Sequence, residues 1–76
     1  MPSRRNLVLR RFGDALREKR KLRGISQEQL ALLAEINRTY MGGVERGEEN
    51  ISLLTIVKVS SVLGVKPSEI FSSAGL

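Results

Sequence analysis

The sequence predicts an all-α domain of five short helices. Three observations carry this. The chain is 76 residues long, room for one domain. Its apolar residues recur at helical rather than alternating intervals. Side chains able to cap a helix start, and glycines able to stop one, stand at the borders of the periodic stretches.

Residues 1–6 have no periodicity and read as part of a basic arm containing Arg4 and Arg5. The domain boundaries set by this reading are an arm at 1–9, a folded unit at 10–72 and a fraying tail at 73–76. From Leu9 the positions Leu9, Phe12, Ala15, Leu16 and Leu22 follow a helical stripe that runs to Arg23, with Gly24 as the stop. Ser26 is placed as an N-cap and Gln29 stands three residues on, the spacing of a capping box, so a second helix spans about Gln27 to Ala34. Asn37 caps a third helix from Arg38 to about Arg46, with Ile36 and Met41 spaced for a hydrophobic staple. Only Glu35, Ile36 and Asn37 separate the two, which forces a sharp crossing.

Residues 51–63 are rich in β-branched side chains, but a lone strand would have no partner. With Ser52 as cap and Gly64 as stop, the expectation is a fourth helix. Pro67 opens a fifth, ending near Phe71 or Ser72, with Glu69 at its positive end. Expected core residues are Leu30, Ala31, Leu33, Ile36, Met41, Val44, Leu54, Val57 and Leu63, while Leu32 falls on the exposed side of its helix.

Composition narrows function. Cysteine and histidine are absent, removing disulfides, thiolate and imidazole catalysis and the common zinc sites. No triad-like or metal-ligand grouping is present, so no enzyme, cofactor or metal is expected. No apolar run is long enough to span a bilayer and no export signal is visible, so a cytoplasmic protein without a membrane partner is expected. Net charge is +5 and unevenly spread. Residues 1–23 hold nine basic and two acidic side chains, a local charge of +7, and the remainder is −2. Clustered cations of this kind suit a polyanion, because they displace counterions condensed on phosphates.

The run Phe12-Gly13, Leu16-Arg17, Arg20, Gly24 through Ala31, Ile36 through Met41 and Val44 through Gly47 resembles the lambda-repressor-like helix-turn-helix family. The likeness continues through Ser52–Gly64 and Val65–Phe71. Within that family, Asn37-Arg38-Thr39-Tyr40 and the short chain are similar to the controller proteins of restriction–modification systems. The resemblance implies double-stranded DNA as partner, a palindromic operator, and regulation of the protein's own gene and an endonuclease gene, activating at low and repressing at high concentration. RNA polymerase is a further partner it makes room for. A phage-type repressor, an antitoxin and a module for protein–protein contact are the alternatives.

In a helix-turn-helix the second helix enters the major groove with its N-terminal residues at the base edges. Arg38 and Thr39 occupy those positions; arginine can hold guanine O6 and N7 with two parallel hydrogen bonds, and threonine suits several base edges. Gln27 begins the preceding helix, where backbone amides attract anions, and its family counterpart grips phosphate. Asn37, Tyr40, Arg17 and Asn50 complete the expected phosphate set; Tyr40 is also expected to pack, and Arg10, Arg11 and Lys21 are further candidates. The resemblance assigns Arg20 a structural role, an ion pair with Glu45 that ties the first helix to the third.

Four departures stand out. Glu35 occupies a turn position where the family often has glycine and a left-handed backbone is expected. Gly42-Gly43 lies inside the third helix, at a cost of about 1 kcal/mol each against alanine; one reading is that bare backbone lets this helix sit deeper in the groove. Glu48 and Glu49 sit beside the presumed DNA backbone. Ile51, Leu53, Val65, Ile70 and Phe71, with Leu76, exceed what a small core needs, and a homodimer through the fourth and fifth helices is expected.

Overall fold

The computed structural model describes residues 6–76, so the proposed arm at Arg4 and Arg5 lies outside the described residues. Five helices follow in order: α1 Leu7–Arg23, α2 Gln27–Leu33, α3 Arg38–Glu45, α4 Leu53–Leu63 and α5 Pro67–Ser73. The β-branched stretch is helical, as its cap and stop residues indicated. Asn6 caps α1, its Oδ1 accepting from the Val8 and Leu9 amides at 2.8 and 3.3 Å. That cap starts the helix two residues before the apolar stripe does, inside the expected arm.

The remaining caps are those the spacing predicted. Ser26 Oγ accepts from the Gln29 amide at 3.0 Å while Gln29 Oε1 accepts from the Ser26 amide at 2.7 Å. Asn37 Oδ1 accepts from the Tyr40 amide at 3.0 Å, and Ser52 Oγ from the Thr55 amide at 3.1 Å. Gly24 and Gly64 end α1 and α4 with φ of 76° and 70°, a conformation glycine adopts without steric cost. In the expected tail Ala74 is buried, and the Leu76 amide donates to the Phe71 carbonyl at 2.9 Å.

The core is one cluster made by all five helices. Phe12, Ala15 and Leu16 of α1 meet Leu30 and Ala31, Met41 and Val44, Ile56, Val59 and Leu63, and Ile70. Phe71 covers one edge, its ring tilted against Phe12 with centroids 5.2 Å apart. Three expected core residues face solvent instead: Leu33 is 60% exposed, Leu54 75% and Val57 49%. In α4 the buried set is Thr55, Ile56, Val59, Ser60 and Leu63, so the inward stripe is rotated away from the most apolar residues. Thr55 and Ser60 are tolerated inside because Thr55 Oγ1 meets Ser52 Oγ at 2.8 Å and Ser60 Oγ donates to the Ile56 carbonyl at 2.7 Å. Leu22, at the end of the α1 stripe, is also exposed.

The expected dimer set divides in a different way from the sequence reading. Ile70 is fully buried inside the protomer and cannot reach a second copy; this corrects its assignment to an interface. Ile51, Val65 and Phe71 are half-buried against the core, and Leu53 is 72% exposed.

Candidate nucleic-acid interface

α2 and α3 are joined by a turn in which the Glu35 amide donates to the Leu32 carbonyl and the Ile36 amide to the Ala31 carbonyl, at 3.1 and 2.9 Å. Glu35 has φ of 57°, the left-handed conformation anticipated there. Chirality makes that conformation costly for a side-chain-bearing residue by about 1–2 kcal/mol. Reversing the chain in so few residues sets α3 across α2, with Ala31 and Met41 buried among the core residues.

Two devices fix α3 against the rest of the protein. The first is an ion pair. Arg20 Nε and one terminal nitrogen donate to the two carboxylate oxygens of Glu45 at 2.7 and 3.0 Å, and the other terminal nitrogen donates to the Ile25 carbonyl at 2.9 Å. The side chains are 10% and 3% exposed. Gln27 Nε2 adds a third donor to Glu45, at 3.1 Å. One carboxylate thus holds α1, α2 and α3 together, and the role assigned to Arg20 and Glu45 is met by a planar, two-point geometry.

The second device is a close approach that sequence reasoning missed. A Cβ on Gly13 would stand 2.4 Å from the Val44 carbonyl oxygen and 2.7 Å from that of Glu45. Only glycine lets the backbone of α1 lie on the end of α3. A glycine between Phe12 and Asp14 inside a strongly periodic helix was the available signal.

With α3 fixed, its leading end projects outward. Arg38 and Thr39 are exposed and make no side-chain hydrogen bond among the described residues. Asn37 is exposed and commits Oδ1 to its cap. Tyr40 is half-buried, and its hydroxyl accepts from the Ser52 amide at 3.3 Å, joining α3 to the start of α4 while retaining its own proton for donation. Gln27 is half-buried and partly occupied by Glu45. Asn50 is exposed in the loop after α3. Arg17 and Arg10 are exposed and line one shallow depression with Asp14, Glu45, Arg46 and Glu48. Arg11 and Lys21 are exposed as well. Arg23 is not a free cation, because it donates to the Leu63 carbonyl at 3.1 Å.

The two glycines of α3 are not bare. A Cβ on Gly42 would lie 3.1 Å from a terminal nitrogen of Arg46 and 3.4 Å from Gln27 Oε1. On Gly43 it would lie 2.6 Å from Glu49 Cγ. Both glycines are buried under these side chains, which contradicts the expectation of open backbone facing a groove. Arg46, which the sequence analysis left without a role, covers the first and Glu49 the second.

The comparisons agree with this architecture. The helix-turn-helix family matches residues 16–70. The control protein C.MunI from Mycoplasma sp is 41% identical over 63 residues, spanning 82% of this chain and 85% of that protein. The control protein C.BamHI from Bacillus amyloliquefaciens is 42% identical over 60 residues, 78% of this chain and 74% of its own length. The crystal structure of the restriction–modification controller protein C.AhdI from Aeromonas hydrophila superposes with a TM-score of 0.80 at 48% identity, covering 82% of this chain and 94% of that one. A sharp two-helix turn, a third helix locked by a three-donor carboxylate and this degree of likeness lead to one statement: the chain belongs to the helix-turn-helix family, in the group of the restriction–modification controller proteins.

Proposed function

We propose that the protein is a sequence-specific DNA-binding regulator of transcription with no catalytic role, the controller of a restriction–modification system acting on its own gene and an endonuclease gene. The observation that carries this is the state of Arg38 and Thr39. They are the leading, exposed side chains of a helix held by Glu45, and neither makes a side-chain hydrogen bond among the described residues. Arg38 is placed to read guanine and Thr39 a neighbouring base edge, while Gln27, Asn37, Tyr40, Arg17 and Asn50 hold phosphates on either side.

A single module contacts a short stretch of duplex, so a two-fold dimer on a palindrome supplies the specificity. The surface that supports dimerisation is the exposed side of α4, Leu53, Leu54 and Val57, bordered by the half-buried Ile51 and Val65. RNA polymerase is the further partner through which such a dimer activates.

The test is titration of the full chain against a labelled duplex from upstream of its own gene, beside a shuffled duplex of the same composition, at rising salt. A specific regulator keeps a large preference for the upstream duplex as salt rises. Loss of both complexes together would mean general polyanion binding and would overturn the reading.

A further inference from the structure

The loop after α3 folds back onto the helix. Gly47, with φ of 76°, reverses the chain, and the Glu48 amide donates to the Gly43 carbonyl at 2.8 Å. That bond fixes the backbone next to Glu49, whose side chain lies across Gly43. Glu49 Cγ is 2.6 Å, Oε2 3.4 Å and Cδ 3.5 Å from the position that a Cβ on Gly43 would take. A glutamate from the loop thus fills the space where the side chain of residue 43 would stand. Gly43 follows Thr39 at i and i+4, so the two lie on one face of α3. Glu49 is exposed, and its carboxylate has neither a hydrogen bond nor an ion pair among the described residues.

We propose that Glu49 is a specificity-determining residue that reads a cytosine in the major groove, standing in for the side chain that Gly43 lacks. This rests on the DNA-binding reading above, in which Thr39 faces the bases. An ionised carboxylate only accepts hydrogen bonds. In the major groove guanine presents N7 and O6 and thymine O4, all acceptors that repel it; adenine N6 donates but stands beside the acceptor N7. The cytosine N4 amine has a carbon–hydrogen edge on its own ring beside it, so it is the donor that suits a carboxylate best. Four residues of helix advance about 6 Å, close to two base-pair steps, which sets the cytosine about two pairs from the base that Thr39 contacts. The absence of a side chain at 43 is then accounted for, because a larger residue would push Glu49 aside.

The experiment is repeated selection by the full chain from a duplex library with a randomised central stretch, followed by sequencing and by competitive titration of the selected duplexes. The wild-type chain should enrich a site in which one C·G pair depends on residue 49. Glu49→Ala should flatten the preference at that pair by about 5- to 10-fold and leave every other position of the site unchanged. Glu49→Gln should move the preference there from cytosine to adenine, whose N6 and N7 match an amide. Gly43→Ala should flatten the same pair with Glu49 still present, because the added methyl group displaces it. Unchanged melting of Glu49→Ala by circular dichroism shows that the fold is intact. The proposal is overturned if the wild type and Glu49→Ala enrich the same site, or if the affected pair is not C·G. It is also overturned if Glu49→Ala merely binds every duplex more tightly with the preferences kept, which is the signature of a carboxylate that only repels phosphates. If the wild-type chain enriches no sequence at all, the reading as a sequence-specific regulator falls, a result distinct from these.

Discussion

Replacing Arg20 by alanine tests the clamp on α3 directly. Three hydrogen bonds vanish, two to Glu45 and one to the Ile25 carbonyl. The Glu45 carboxylate, 3% exposed, keeps only the Gln27 amide at 3.1 Å. Leaving one member of a buried pair uncompensated costs about 3–5 kcal/mol. A chain of 76 residues has a total stability of about 4–11 kcal/mol, so the loss is a large part of the whole. At about 4–8 °C per kcal/mol for a domain of this size, the melting temperature should fall by at least about 12 °C. Far-UV circular dichroism on heating measures it. A fall below about 4 °C would place the pair with surface ion pairs of about 1 kcal/mol and refute the argument. A second variant separates causes: with Arg20→Met and Glu45→Met combined no buried charge remains, and most of the lost stability should return. If the double variant melts as low as Arg20→Ala, the uncompensated carboxylate is not the source.

Three further outcomes follow from the same geometry. Gly13→Ala drives a methyl group into the Val44 and Glu45 carbonyl oxygens and should destabilise by about 1–3 kcal/mol despite alanine's better helix propensity, read as a lower urea midpoint. Arg38→Ala, at an exposed position, should leave melting unchanged yet cost about 1–3 kcal/mol of discrimination between the upstream duplex and one with the contacted guanine replaced, measured by competitive titration. Leu54→Glu should leave the protomer fold intact and shift sedimentation to monomer, because this leucine is 75% exposed; a dimer that persists would move the interface away from α4.

The helix borders were legible because they depend on local chemistry. Ser26 with Gln29, Asn37, Ser52, Gly24 and Gly64 each satisfy or end a helix within a few residues of themselves. Which side of a helix faces inward was less legible. α4 is apolar nearly all round, so periodicity could not separate Ile56 and Val59, which are buried, from Leu54 and Val57, which are not. The decision was made by packing against α1 and α5 and by hydroxyls that found partners inside. Ile70 was misplaced for the same reason: its burial depends on a tertiary arrangement that composition does not encode. At the interface, Arg20 and Glu45 were recovered through the family likeness. Arg46 was not, since its place is set by what Gly42 lacks. Gly13 looked like one more weak helix former until the backbone of α3 was seen against it.

Glu45 receives donors from two other helices while the side chains of Arg38 and Thr39 make no hydrogen bond among the described residues, so in the proposed reading the chemistry that recognises an address is uncoupled from the chemistry that keeps the molecule folded. On the proposed function, a change at 38 or 39 is expected to redirect the protein to a new operator without a stability penalty, whereas a change at 13, 20 or 45 loosens the frame on which every operator depends.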